Sequence, residues 1–274
     1  MTAAATLNLV AEMDRILKIK RNIQYITCIP PRHKVVRQIF EQVGLSWLLG
    51  LSLNEPVVAK DVRCWRFVSS DQADGAIPGE LLSEFRDHLH SDLTPSLFRA
   101  VTEAMANAVE HSHSCARIDS LPALAKRWWM FAGVFDNQLV FVICDLGVGI
   151  PNALPVRWHE RMINRVISRL RLGTTDGDYI RAAMEITKTR TQLPHRGKGM
   201  TQLRDVLTEA QGGTLVVYSN KGAYTYQPAE EDGEHIEGFK TPLGGTTIEW
   251  SLPLHLATSA TVRGGQDERA RNYD

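Results

Sequence analysis

Cysteine is scarce and unpatterned in this chain, and that removes several functional classes at once. Only four occur, Cys28, Cys64, Cys115 and Cys144, with no CxxC pair among them. Such spacing suits neither a disulfide frame nor a cysteine zinc site; it suits reduced thiols acting as small hydrophobes. Net charge is missing too, since 31 Lys plus Arg balance 31 Asp plus Glu. Nothing in the overall charge points to a nucleic-acid or membrane-surface partner, although a local basic patch stays compatible with it. No apolar run is long enough and free enough of charge to span a bilayer. The opening MTAAATLNLVAEMDRILKIK has acidic groups inside its apolar stretch and no basic leader, so it does not read as a signal peptide, and a cytoplasmic protein is expected.

What is present is an ordinary globular composition, 43% apolar over 274 residues, enough for one large domain or one domain with a small companion. Leu7, Val10, Met13, Leu17 and Ile19 recur at helical spacing, followed by the strand-like NIQYITCI at 22–29 and a stop at Pro30-Pro31. A helix over 33–43, a strand over 62–69 and a helix over 79–91 complete an α/β section, 1–93, that carries no motif and reads as an extension or a small domain. From Thr94-Pro95 an amphipathic helix runs to about 111, with Leu97, Val101, Met105 and Val109 on one stripe. Two strands follow, RWWMFAGVF and QLVFVICDL, turning at Asp136-Asn137. Helices are expected near 157–171 and 177–189, and HRGKGM should open another that ends near Ala210. The strands LVVYS, GAYTYQ and TTIEWSLP close a domain over 94–256, and the small and charged residues of 257–274 read as a disordered tail.

Three short patterns carry chemistry. Glu103, Asn107 and His111 stand at i, i+4 and i+8 on one helix face. A carboxylate there can orient a water or take its proton, and an amide oxygen can complete a magnesium shell shared with phosphates and water. The same spacing also suits a solvated face. Asp145 ends a very apolar strand, where a carboxylate is costly unless a donor such as an adenine amino group meets it. In the following turn Gly147 and Gly149 let a flat ring approach, and Ile150 follows them; an ordinary acidic turn has this form as well. Gly197, Lys198, Gly199 and Met200 lie at an expected helix N-terminus, where free N–H groups and the helix dipole favour a phosphate, although the full Walker pattern is absent.

Taken in order, ExxxNAxxH on a helix, DxGxGI after a strand, GKGMxxL opening a helix and GTTIEWSLP as the last strand resemble the N box and glycine boxes of the GHKL superfamily, which includes gyrase, heat-shock chaperones, histidine kinases and MutL. The resemblance covers about residues 94–254, roughly three fifths of the chain. It implies a Bergerat fold: a two-layer α/β sandwich with a mixed, mostly antiparallel sheet, here with the N-terminal extension added. It also implies ATP and magnesium as cofactors. Glu103 would be the general base and Asn107 the magnesium ligand. Asp145 would hold the adenine, Gly147, Gly149 and Ile150 would line its pocket, and Thr246 on the strand opened by Gly245 would assist. His111 matches the NAxxH variant found in anti-sigma-factor serine kinases and histidine kinases, which puts it on the phosphate side or, equally, makes it a packed histidine.

By the same resemblance, the stretch between Asp145 and Gly197 would be the phosphate-covering lid, Gly197 and Gly199 with Met200 after them would support it, and one or two of the basic residues Lys188, Arg190, Arg196 and Lys198 would reach the phosphates. No phosphoacceptor helix with an HE or HD dipeptide precedes the N box, which speaks against a self-phosphorylating sensor kinase. Residues 1–274 hold no counterpart of the large second domain of gyrase and MutL, so a stand-alone ATPase domain with a short N-terminal extension is expected. The expected function is therefore Mg-ATP binding with slow hydrolysis, or transfer of the γ-phosphate to a partner protein, switched by the lid. A nucleotide-sensing interaction module without chemistry is the alternative. ATP, ADP and a partner protein are the expected partners, and the sequence leaves room for a homodimer.

Overall fold

The computed structural model describes residues 2–20, 26–53, 56, 58, 66–85, 93–111, 126–135, 137–186 and 200–254, with the backbone alone at 20, 84 and 111. The chain starts with a long helix, α1 (Ala3–Lys20), and two short ones, α2 (Lys34–Gln42) and α3 (Leu45–Leu48), joined at Gly44, whose φ of 74° is the left-handed value that favours glycine. Strand β1 (Arg66–Ser70) precedes α4 (Ala76–Glu84) and α5 (Leu93–His111). Strands β2 (Trp128–Phe135) and β3 (Gln138–Asp145) form a hairpin that turns at Asn137, which takes φ 61° in place of the missing glycine. Four helices follow, α6 (Ile150–Arg157), α7 (Glu160–Leu170), α8 (Asp176–Ile186) and α9 (Thr201–Glu209), before the two long strands β4 (Thr214–Tyr226) and β5 (Glu234–Pro253).

The strands make one sheet in the order β1-β2-β3-β5-β4, and each described pairing is antiparallel, so the sheet is not the mixed one expected. Alternation sorts its side chains. Trp128, Met130, Leu139, Phe141, Ile143, Ile248 and Trp250 face a core shared with α5 and α9, whereas Trp129, Phe131, Val140, Val142 and Cys144 face α1 and α3. Strands that are apolar at consecutive positions need cover on both faces. The N-terminal section supplies it: α1 adds a third layer to the expected two, and β1 is the edge strand of the same sheet.

Polar anchors fix α1 in place. The buried Asp14 carboxylate accepts from Trp129 Nε1 at 2.9 Å and from Arg127 Nε at 2.8 Å, and Asn8 Nδ2 donates to Thr247 Oγ1 at 2.8 Å. A buried carboxylate with such donors is stable, and a half-satisfied one would not be.

Local reading misses in three places. The strand expected over 22–29 is not formed at 26–29, where Ile29 is 87% exposed and no sheet neighbour is present; 22–25 lie outside the described residues. Helix α6 arises at 150–157, before the helix expected near 157–171, where the sequence reading places no element. Pro151 stands in its first turn, where a missing N–H costs nothing. LVVYS and GAYTYQ belong to a single strand, β4, kinked by register shifts at Ser219, Asn220 and Gly222. No described helix is long and apolar enough to cross a membrane. The tail expected over 257–274 lies outside the described residues.

Candidate functional site

One cleft opens between α5, the end of β3, α6, α8 and β5. Glu103, Ala104 and Asn107 line it from α5, Asp145 from β3, Gly149, Ile150, Ala153, Leu154, Arg157 and Trp158 from α6 and its flanks, and Thr246 and Ile248 from β5; Ala183 and Met200 close the side. Its empty space is ≈ 730 Å³, counting solvent at the mouth.

The floor is built by a strand-end turn. Asp145 is 9% exposed, and its Oδ1 accepts the Gly147 N–H at 2.8 Å, so the turn is pinned to the carboxylate it presents. Gly149 takes φ 80° and ψ 157°, a region essentially reserved for glycine. A Cβ there would also stand 2.5 Å from Asn220 Oδ1. Gly245 takes φ 85°, and a Cβ on it would collide with the Asp145 carbonyl oxygen. These two glycines are therefore required by close approach, Gly149 to the Asn220 side chain and Gly245 to the Asp145 backbone.

Ser219 ties the turn to the last strand. Its hydroxyl donates to the Gly245 carbonyl at 3.0 Å and accepts the Ile150 N–H at 2.8 Å. Because that proton is committed, Thr246 is the donor across the 3.1 Å contact between the two hydroxyls, which leaves Thr246 Oγ1 with acceptor lone pairs. The floor of the cleft is thus rich in acceptors, Asp145 and Thr246, between apolar walls of Ile150, Leu154, Met200 and Ile248. Asn220, fully buried, donates to the Val148 carbonyl at 3.1 Å, and its Oδ1 meets no donor among the described residues.

The α5 side of the cleft is polar. Asn107 Nδ2 donates to Glu103 Oε1 at 3.2 Å, and Arg157 donates to Asn107 Oδ1 at 3.4 Å. Burial pushes the Glu103 carboxyl above its ordinary value. The Asn107 amide and the Arg157 charge pull it back only in part, and Glu110 adds to the rise. A half-buried carboxylate with a raised affinity for protons, beside an amide oxygen and a guanidinium, is suited to take a proton and to orient a charged group.

Of the residues singled out from sequence, Glu103, Asn107, Asp145, Gly149, Ile150, Met200 and Thr246 come together on this cleft, with Gly147 and Gly245 supporting its floor. The backbone of His111 ends α5, and its side chain lies outside the described residues. Gly197, Lys198 and Gly199, with the rest of 187–199, lie outside them too. Sequence reading passed over Ala153, Leu154, Arg157, Trp158, Ser219 and Asn220. An apolar helix directly after the glycine turn was the available signal for the first four; Ser219 and Asn220 look like ordinary strand residues until the bulge brings them under the turn. Among the described residues no group of three or more His, Cys, Asp or Glu could hold a metal.

Comparisons with protein-family models, with curated proteins and with solved structures found no match.

Proposed function

We propose that this chain is a GHKL-like, Bergerat-type ATPase that binds Mg-ATP in this cleft and either hydrolyses it slowly or passes its γ-phosphate to a partner protein, in the cytoplasm. The observation that carries the reading is the pair of acceptors, Asp145 and Thr246, between apolar walls, with the Glu103 carboxylate and the Asn107 amide of α5 lining the same cleft. Asp145 and Thr246 suit the amino edge of a purine, and the apolar walls suit its faces. Asn107 offers one amide oxygen. That suffices for magnesium, which takes one or two protein oxygens and fills its octahedron with phosphate and water, so the lack of an acidic cluster among the described residues fits this ion better than calcium or zinc.

Magnesium when bound would neutralise charge on the transferring phosphate. Glu103 would accept the proton of the attacking water or hydroxyl, and its raised proton affinity favours that role near neutral pH. Arg157 would leave Asn107 for a phosphate oxygen, a stronger charge-assisted partner than a neutral amide at 3.4 Å. The Arg157 contact also supports a second reading, a nucleotide-sensing module without chemistry, because it engages the amide oxygen that magnesium would need.

Calorimetry with Mg-ATP tests the cleft. Asp145→Ala removes the floor acceptor and should weaken binding by at least tenfold, since a hydrogen bond to a charged group is worth about 1.5–3 kcal/mol. Equal affinity in the parent and Asp145→Ala would defeat the assignment. Equal phosphate release in the parent and Glu103→Ala would leave only the sensing reading.

A further inference from the structure

The molecule is neutral as a whole, yet its charge is unevenly placed. Between 157 and 171 stand five arginines, Arg157, Arg161, Arg165, Arg169 and Arg171, against one acidic residue, Glu160. All five are exposed. Arg161, Arg165 and Arg169 follow one another at i, i+4 and i+8 along α7, which places them in a line on one face. The opposite face is already satisfied: Ile163 and Val166 are buried with Leu154, Trp158 and Ala183. The arginine line is therefore not needed to hold the helix down. Arg161 and Arg165 make no ion pair with another described residue, and Arg169 meets Glu185 at 3.4 Å. The line begins at the cleft, because Arg157 lines its mouth and α7 starts three residues later at Glu160.

We propose that this arginine line is a docking track for an extended, acidic segment of a partner protein, leading along α7 to the mouth of the cleft. Successive arginines are about 6 Å apart along the helix axis, four residues at 1.5 Å each. Side chains on one face of an extended peptide repeat at about 6.7 Å, so a carboxylate at every second position meets one guanidinium after another. The Arg169–Glu185 contact shows a carboxylate taken by the last member of the line. The chain balances 31 basic against 31 acidic residues, which favours a short acidic segment on this one line over a long nucleic acid, whose affinity rests on an extended basic surface. Only the destination of the track rests on the ATP reading of the cleft.

The test is fluorescence anisotropy on the full chain at low ionic strength, with a labelled peptide of about eight residues alternating Glu and Ser, long enough to cover α7. The peptide should bind, lose affinity as salt rises, and bind at least tenfold more weakly to the Arg161→Gln/Arg165→Gln double variant. Arg161→Lys/Arg165→Lys, which keeps the charge, should stay close to the parent. The proposal is overturned by absence of peptide binding, by equal affinity in the parent and the Gln variant, or by tighter binding of a labelled DNA duplex than of the peptide. Circular dichroism checks that the variants are folded. Calorimetry with Mg-ATP on the same proteins reports on the cleft alone, so a failure of nucleotide binding would sink the ATP reading and leave the peptide result standing.

Discussion

Replacing Glu185 by Gln tests how the side wall of the cleft is held. Glu185 on α8 is buried and faces Arg204 at 2.8 Å, Arg181 at 3.0 Å and Arg169 at 3.4 Å. Burial alone would raise its carboxyl, but hydrogen bonds from Arg204 and Arg181 outweigh it and hold the group at about 2 against an ordinary 4.5. That drop corresponds to roughly 3 kcal/mol, and solvent screening on the exposed Arg169 side lowers it to about 2 kcal/mol. The folded value lies below the unfolded one, so this stability is complete above about 4.5 and is lost as pH falls toward 2. Glu185→Gln removes the charge and leaves Arg181 and Arg204 with Glu234, at 2.7 Å from each. Urea unfolding should show the variant about 2 kcal/mol less stable than the parent near pH 7 and less than half of that near pH 3. The effect reaches the site, since α8 carries Ala183 and α9 follows Met200, both in the cleft wall. An equal loss at both pH values would refute the reasoning, because the cost would then not come from the carboxylate's charge.

Gly245→Ala must hold alanine at φ 85° against the Asp145 carbonyl and should cost about 2–5 kcal/mol; an unchanged thermal midpoint would contradict the close approach. Phosphate release by the parent should fall as pH drops through a value above 4.5, because burial raises the Glu103 carboxyl and a base must be ionised. A turnover profile flat down to pH 4.5 would remove Glu103 from that role. Asn107→Ala should keep nucleotide and lose most of the magnesium dependence of its binding, read by calorimetry with and without the metal. A chain starting at residue 94 loses the cover that α1 places on Trp129, Phe131 and Val142 and should bind a hydrophobic dye and aggregate. If it stayed folded and dye-free, the third layer would be dispensable.

Periodicity and turn chemistry were enough to read α5 and the β2–β3 hairpin beside the cleft, but not α6. The apolar stripe of α5 placed Glu103 and Asn107 one turn apart on a single face, and the apolar runs of β2 and β3 marked strands; each signal lies within one short segment. Tertiary structure decided the rest, because the deciding partners are far apart in the chain. Thr247 meets Asn8 across 239 positions, and Ser219 meets Ile150 across 69. No local pattern encodes such pairings. Register between β4 and β5 brings Ser219 under the glycine turn, and the two apolar faces of β2 and β3 require a helix on each side. Arg157 enters the cleft for the same reason, since its neighbour Asn107 stands 50 residues earlier on another helix.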